Sequence, residues 1–433
     1  MRTLRDGKLY IQKRAFPEWA TLYLVILPFV LSFLLDLLSL PSFIKYTADL
    51  AWVAVSFITI SKRRQHVHKN LMPFVVFFGC WLASVAIVYL FRFQSPVYFL
   101  WGFRNNARYF IAFILFAYYL KVDDVKSCLK FIDFMFIIHI MVTFFQFFIM
   151  GYQWDYLGGI FGVQLGGNGN SLVFLVIVCS KSLIMYMNDQ ESVWKCFFKC
   201  GISLVIATMS EIKVFFLIFV VIVLVSSLIT KFSWKKIPLF IFGAVLIFTA
   251  GNLFTVIWGE DAALTLDRIT ELVTSTQYSS EKDLGRFTAI PTLSNTILTD
   301  PIDRWFGLGL GNCDTSSFAL CNTPFYQSHS YLNYDWFSSA MTFLETGYVG
   351  LILFLSFFIV VFIFARKAKK TMENPTYYQL AMVMSVICII LVFYNSSLRM
   401  EIGYVAYFVL ALPFVSYGSN KTQKEELPKQ QLL

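Results

Sequence analysis

Long apolar runs constrain the fold of this chain more than any other feature. "VFFLIFVVIVLVSSLI" occupies residues 214–229 and "FIAFILFAYYL" residues 110–120, and neither run contains a charged residue. A helix needs about 20 apolar residues to cross a bilayer, and a chain in lipid must satisfy its backbone internally. Charged residues make up only 14% of the chain, whereas they are about a quarter of a soluble domain. The sequence predicts an all-α polytopic membrane protein.

A hydropathy window of about 19 residues predicts twelve transmembrane helices. They are expected near 17–38, 43–61, 71–91, 106–120, 129–150, 169–187, 196–211, 212–230, 237–258, 340–365, 379–395 and 402–418. The predicted organisation is a cytoplasmic N-terminus at 1–16, spans one to nine within 17–258, one large periplasmic loop at 259–339, spans ten to twelve within 340–418 and a cytoplasmic tail at 419–433.

The basic residues predict the orientation of these spans. With the N-terminus inside, 25 of the 35 lysines and arginines fall in cytoplasmic segments, as the positive-inside rule requires. Both termini are therefore expected in the cytoplasm. The net charge of +9 is explained by this topology and by contact with anionic lipid head groups. We expect the bilayer as a partner and no nucleic acid.

The outer loop is the longest polar segment. About 80 residues without secondary structure would be unusual, so we expect short helices within it, one over 262–277 and a second over 288–300 that ends at Asp300. Cys313 and Cys321 lie in the same loop. In an oxidising compartment they could form a disulfide, and otherwise they are free thiols. The residues alone leave both alternatives open.

Several basic residues lie on the outer side, against the insertion rule. Taken singly, each is explained by a solvated or snorkelling helix end, and Lys213 could pair with Glu211. Taken together, they suit a shared anionic ligand at the membrane surface, because arginine binds phosphate oxygens in a bidentate manner. We predict a lipid-linked diphosphate as that ligand. The basic residues concerned are Arg104 and Arg108, which share one helix face, and Lys213, Arg286 and Arg399.

Five short motifs occur in an order that resembles the superfamily of O-antigen ligases and Wzy-type polysaccharide polymerases. They are "GGNGNS" (166–171), "TMSEIK" (208–213), "GRFTAI" (285–290), "DPIDRWFGLGLGN" (300–312) and "HSYLNYDWFSSAMTFLETGYVGL" (329–351). The resemblance implies a glycosyltransferase that acts on the periplasmic face of the bacterial inner membrane. A polymerase transfers a growing glycan from undecaprenyl diphosphate to another lipid-linked repeat unit, whereas a ligase transfers it to lipid A core.

By this resemblance, Lys213 and Arg286 hold the diphosphate and His329 accepts the proton of the acceptor hydroxyl. Sixteen positions separate His329 from Glu345 where the family interval is nearer nine, so Asp335 is a competing base and a structural role for His329 stays open. The residues expected to contact substrate are Arg104, Arg108, Asn170, Glu211, Glu345 and Arg399.

The chemistry of glycosyl transfer is compatible with these residues. Fixed cations stabilise the charge that grows on a leaving diphosphate, and imidazole is poised near neutral pH to act as a base. Since no metal-binding motif stands out in the outer loops, we expect no metal and no cofactor. The run "GLGLGN" is expected to be a permissive turn, with an anion-binding nest as the alternative.

Other functions compete with polymerisation. The ligase shares fold and donor with the polymerase. A flippase or secondary transporter usually lacks such an outer loop and places charges at the bilayer midplane, and a membrane scaffold without activity is the last alternative. For the polymerase, we expect the chain-length regulator and the flippase of the same pathway as partners.

Overall fold

The computed structural model confirms the helical class. It describes residues 2–415 except 6–7, 12–13, 39, 62–70, 165, 232–233, 235, 260–269, 271–273, 278–281, 317 and 369–373. A short antiparallel hairpin, Arg2–Arg5 with Lys8–Ile11, precedes the first helix and is a small addition to the all-α prediction.

Helices coincide with the apolar runs. The first nine are α1 (Phe16–Leu38), α2 (Thr47–Ser61), α3 (Met72–Arg92), α4 (Pro96–Tyr119), α5 (Val122–Phe148), α6 (Gly167–Met187), α7 (Val193–Met209), α8 (Lys213–Ile229) and α9 (Lys236–Trp258). Three short helices of the loop follow, α10 (Ala289–Thr296), α11 (Pro301–Phe306) and α12 (Pro324–His329). The last three are α13 (Ser338–Ala368), α14 (Pro375–Tyr394) and α15 (Gly403–Val415).

Seven helices in the described part of the chain are long and apolar enough to cross a membrane. They are Phe43–Ser61, which joins α2 to the turn before it, and α3, α5, α6, α9, α13 and α14. The remaining five predicted spans fall on α1, α4, α7, α8 and α15. By length and composition, the protein is a multi-pass helical membrane protein.

Burial separates a central layer of helices from a peripheral one. In α6, 94% of the most apolar window is buried, and in α14 78%, whereas in α9 and in Phe43–Ser61 the share is 17%. A helix that is apolar on all sides needs protein or lipid around its whole circumference. Therefore α6 and α14 form the centre of the bundle, and the peripheral helices present apolar faces, such as Phe91 and Phe248, to their surroundings.

The helix α4 begins ten residues before the predicted span. Pro96 stands at its first position, where a proline is well suited because it lacks the N–H that would be left unpaired. Gly102 then allows close contact with the loop, since a Cβ there would lie 2.3 Å from the backbone nitrogen of Gly311. The polar residues 104–108 are thus part of a helix wall.

The helix α13 is broken at Gly347, whose φ of 63° and ψ of −162° are not helical. Two carbonyls before the break are paired by the glycine run of the loop. Leu308 donates its backbone N–H to the Leu344 carbonyl (2.8 Å), and Gly309 donates to the Glu345 carbonyl (3.1 Å). The glycine run therefore caps the helix break, and it uses for this purpose two backbone N–H groups that an anion-binding nest would need.

The loop helices differ in part from those predicted. The helix expected over 262–277 lies for the most part outside the described residues. The prediction of a helix that ends at Asp300 was wrong, because α10 ends at Thr296. Asp300 instead begins α11, and its carboxylate accepts the N–H of Ile302 at 2.7 Å. An aspartate before a proline at the first helical position is a strong helix start.

Candidate functional site at one end of the bundle

The segment 395–400, between α14 and α15, joins several helix ends. The carbonyl of Asn395 accepts the backbone N–H (3.2 Å) and the hydroxyl (3.0 Å) of Ser338, the first residue of α13. In the first turn of α6, Gly169 lies so close that a Cβ would be 2.7 Å from Ser397 Oγ. The N-terminal ends of α6 and α13 therefore meet at this segment.

The side chain of Arg286 lies beside the same segment. Its Nη1 donates to the carbonyl of Tyr394 at 2.7 Å. The guanidinium lies 4.1 Å from the ring centroid of Tyr394 and 5.7 Å from that of Phe337. Contact between a guanidinium and an aromatic face fixes the cation at little desolvation cost. The structure thus brings Arg286 to the residue that precedes segment 395–400.

Arg399 lies between two buried carboxylates. Its Nη2 is 3.8 Å from Glu345 Oε2 and 3.9 Å from Asp314 Oδ2, and 13% of its side chain is exposed. These distances exceed hydrogen-bonding range, so the attraction is purely electrostatic. The structure therefore brings together Arg399 and Glu345, which were both predicted to contact substrate, and adds Asp314.

The two carboxylates take their hydrogen bonds from neutral donors. Glu345 Oε1 accepts the backbone N–H of Gly311 at 3.0 Å, and Oε2 accepts from Asn106 Nδ2 at 3.1 Å. Asp314 Oδ2 accepts from Asn105 Nδ2 at 2.7 Å. Consecutive asparagines of α4 thus hold carboxylates from two different parts of the chain, and each carboxylate keeps its position without Arg399.

Arg104 and Arg108 share a helix face, as expected, but have different partners. Arg104 donates its Nε–H to Asp49 Oδ2 at 2.9 Å, and its Nη2 lies 2.8 Å from the same oxygen as an ion-pair contact. Arg108 is buried, its Nη2 donates to the carbonyl of Arg399 (2.5 Å), and its guanidinium lies 4.6 Å from the ring centroid of Tyr109. Both arginines therefore have internal contacts that support the walls of the site, and their predicted contact with substrate stays a prediction.

Two acids of the loop, Asp314 and Asp335, have a raised pKa. Burial raises the pKa of Asp314 above its ordinary value, although the charge of Arg399 opposes this shift. Burial also raises the pKa of Asp335, with the negative charge of Asp314 contributing and Arg399 opposing.

His329 has local contacts. Its Nδ1 lies 2.8 Å from Ser328 Oγ and 3.2 Å from the carbonyl of Phe325, and its ring stacks on the Phe325 ring with centroids 4.4 Å apart. These contacts hold the imidazole at the end of α12. Within the described residues, hydrogen bonds and ion pairs do not join His329 to the two carboxylates or to Arg399.

Lys213 and Asn170 lie on two neighbouring helix ends. Lys213 begins α8 and its Nζ is 3.2 Å from Glu211 Oε1, with 41% of the lysine side chain exposed. In the first turn of α6, Asn168 donates to the carbonyl of Ser210 at 3.3 Å and links the two ends. Asn170 is buried and its Oδ1 has no hydrogen-bond partner among the described residues.

The disulfide between Cys313 and Cys321, one of the two alternatives, is not formed. Both residues are free thiols. Cys313 is fully buried in an apolar cluster, and the Tyr334 hydroxyl donates to its carbonyl at 2.8 Å. Cys321 is partly exposed at the end of a turn of 3₁₀-helix. The two side chains lie in different environments, and burial raises the pKa of the Cys313 thiol further above neutrality.

Sequence reasoning missed Asp314, Asp49 and the pair Asn105 and Asn106. A signal was present, because "RNNAR" places four polar side chains within an otherwise apolar helix (104–108). Polar residues at such positions normally face the bundle interior and find partners there. Asp314 carried no comparable signal, since its approach to α4 depends on the shape of the glycine run.

Chemically, the arrangement offers cations, helix N-termini and carboxylates at one end of the bundle. Arg286 lies beside segment 395–400, Arg399 belongs to that segment, and helix N-termini carry partial positive charge. Across the described residues, no three His, Cys, Asp or Glu side chains are grouped so as to hold a metal ion. No family model matches the chain, and no curated protein sequence is similar to it.

Proposed function

We propose that this protein is a membrane glycosyltransferase that polymerises lipid-linked oligosaccharide repeat units into O-antigen, capsular or exopolysaccharide. The observation that carries the proposal is that Arg286 and the N-terminal ends of α6 and α13 meet at segment 395–400. Helix N-termini and arginine forks both favour phosphate. An undecaprenyl diphosphate leaving group needs such groups at the membrane surface.

The topology belongs to the same proposal. Twelve spans with both termini in the cytoplasm put segment 395–400 and the loop 259–339 on the periplasmic face of a bacterial inner membrane. Two features support this orientation. Helices lie at all twelve predicted places, and 25 of the 35 basic residues fall in the segments assigned to the cytoplasm, as the positive-inside rule requires.

In the proposed reaction, the acceptor hydroxyl attacks the anomeric carbon of the donor glycan, and the bond from that carbon to the diphosphate oxygen breaks. Arg286 stabilises the negative charge that develops on the departing diphosphate, which lowers the barrier more than it strengthens ground-state binding. Lys213 supplies a second positive charge from the start of α8, where its present partner Glu211 is partly exposed to solvent. Phosphate oxygens can therefore displace that weak ion pair.

The acceptor hydroxyl needs a base, and Asp335 is better supported for this role than His329. Asp335 is partly exposed and senses the charges of Asp314 and Arg399, whereas His329 is held by Ser328 and Phe325. A raised carboxylate pKa also increases basicity toward a hydroxyl. His329 keeps the role that the family resemblance implies as the alternative.

The test is Arg286→Ala in the native host, with Arg366→Ala as the matched control. Arg366 lies near the end of α13 that is assigned to the cytoplasm and is exposed. We expect Arg286→Ala to reduce polymer by at least about tenfold, because it removes a charge-assisted contact to the leaving group. The measurement is the glycan ladder on a gel, with expression of each variant verified.

The ladder distinguishes the alternatives. A single repeat unit on lipid A core in the Arg286→Ala strain supports the polymerase. Bare core with accumulating lipid-linked polymer indicates a ligase, provided that the glycan is normally attached to core. A normal ladder in a deletion strain contradicts both and leaves transport as the function to test. Comparing Asp335→Asn with His329→Ala then identifies the base, since only loss of the true base should stop polymerisation.

A further inference from the structure

Two carboxylates offset the positive charge of the Arg399 guanidinium, which still has hydrogen-bonding capacity left over. Its nearest carboxylate oxygens are 3.8 and 3.9 Å away. Its Nη1 is buried and has no hydrogen-bond partner within the described part of the chain. A buried donor without a partner costs free energy, so a site that keeps one needs a reason.

The surrounding carboxylates do not depend on this guanidinium. Glu345 is held by Gly311 and Asn106, and Asp314 is held by Asn105. Since each acid already has neutral donors, Arg399 is not needed to fix their geometry. Its N–H groups remain available to an acceptor that arrives from outside.

Within the described residues, other polar atoms without partners lie on Arg108, which contacts Arg399, and on Tyr404, which lies near Arg108. Arg108 is 4% exposed, donates to the Arg399 carbonyl, and has a buried Nε without a hydrogen-bond partner among the residues that the structure describes. The guanidinium of Arg108 lies 5.9 Å from the Tyr404 ring, and the buried Tyr404 hydroxyl also has no partner there. Donors with unused capacity thus come from α4, from α15 and from segment 395–400.

We propose that Arg399 is the centre of a second oxyanion subsite, separate from Arg286. Asp314 and Glu345 offset the positive charge of Arg399 when no anion is bound. The ligand class is an oxyanion of the substrate, either the diphosphate of a lipid-linked saccharide or the carboxylate of an acidic sugar. This identification of the ligand rests on the proposed function, whereas binding of an anion at Arg399 does not.

Anion binding at the subsite should depend on the charge of the two carboxylates beside it. The charged groups that face it are the acids Asp314, Glu345 and Asp335 and the bases Arg104 and Arg108, and beyond them lie Asp49 and Glu401. An incoming anion adds negative charge beside two carboxylates. Neutralising one of them therefore strengthens anion binding, and lowering the pH achieves the same by protonating Asp314.

The first arm of the test measures binding of inorganic pyrophosphate and of glucuronate to the purified full-length protein by calorimetry. We expect Arg399→Gln to weaken binding of the preferred probe by about tenfold or more. Arg366→Gln, at the other end of α13, should leave binding unchanged. Preference for pyrophosphate indicates the lipid diphosphate, and preference for glucuronate indicates an acidic sugar.

The second arm uses Glu345→Gln, for which the sign of the effect is decisive. Glutamine keeps an oxygen to accept the Gly311 N–H, and the Asn106 amide, which loses its bond to residue 345, keeps the Gly102 carbonyl as its acceptor at 2.8 Å. We expect binding to strengthen roughly three- to tenfold, because one opposing charge is removed a few ångströms from the anion. A purely structural role for Glu345 predicts weaker or unchanged binding, and that result overturns the proposal.

The two arms separate failure of the subsite from failure of the proposed function. If Arg286→Gln abolishes pyrophosphate binding and Arg399→Gln does not change it, the subsite is refuted while the diphosphate site at Arg286 stands. If Arg399→Gln abolishes binding of glucuronate and polymer formation is normal in the host strain that carries Arg286→Ala, the subsite stands and the polymerase assignment fails.

Discussion

Two buried clusters of charge lie at opposite ends of the bundle, and their geometry differs. Far from the site, Lys181 Nζ lies 2.6 Å from Asp133 Oδ2, and Lys199 Nζ lies 2.8 Å from Asp133 Oδ1 and 2.6 Å from Glu191 Oε1. Lys181 follows the start of α6 by 14 residues, which is about 21 Å along a helix. Each of these three ion pairs is within hydrogen-bonding distance.

At the site end, Arg399 stays 3.8 Å or more from its two carboxylates and keeps a donor without a partner. The contrast teaches that charge balance and hydrogen bonding are separate properties of a buried cluster. Where both are complete, as around Asp133, the cluster locks helices together. Around Arg399, where two carboxylates face one cation and hydrogen bonding is incomplete, a donor remains for a ligand.

The largest effect is expected at the locked cluster. Asp133→Ala leaves the ammonium of Lys181, whose side chain is 2% exposed, with the Leu129 carbonyl as its remaining partner. We expect a loss of about 3 kcal/mol in the free energy of unfolding, since a buried charge without its partner is strongly destabilising. Unfolding in detergent measures it. Asp123→Ala on the same helix, an exposed pair with Lys126 at 3.9 Å, should change almost nothing, and equal losses would contradict the comparison.

The stability of the site end should depend on backbone shape more than on ion pairs. Gly311 has a φ of 80°, and a Cβ there would lie 1.9 Å from the carbonyl oxygen of Tyr98. We expect Gly311→Ala to cost about 2 kcal/mol of stability, because the loop must move away from α4 and release the Glu345 carboxylate.

Gly79→Ala is the matched control for that substitution, because a Cβ at Gly79 meets no atom within 4 Å. It should leave stability unchanged or slightly higher. The same detergent unfolding assay measures both variants. A Gly311→Ala protein as stable as the control would show that the glycine run does not fix the site.

The smallest expected effect is the dependence of stability on pH. Burial raises the pKa of Asp314 in the folded protein, while the unfolded value is about 4. Between those two pKa values the folded state binds more protons than the unfolded state, so the contribution of Asp314 to stability falls as the pH rises. Relative to Asp314→Asn, the wild type should therefore lose stability from about pH 4 upward. Thermal midpoints measured across this range give the difference, and an opposite slope would mean that Arg399 dominates over burial.

The places of the helices could be predicted from the sequence because a long apolar run in lipid has few alternatives. The predicted spans begin and end within a few residues of most observed helices. The largest exception, α4, shows the limit, and α5 also begins early, at Val122, seven residues before its predicted span. Hydropathy places the start of α4 at 106, but the helix begins at Pro96, since the polar residues 104–108 lie within the helix and find partners in the loop and in other helices.

The sequence by itself determined the membrane class and the positions of the apolar helices, because these depend on local composition. Only the tertiary structure decided which charges meet. The break at Gly347 and the glycine run that caps it carry Asp314 to Arg399, and the short helix α12 holds His329 on its own neighbours. Such pairings depend on backbone contacts between residues far apart in the chain, and no local pattern of residue types encodes them.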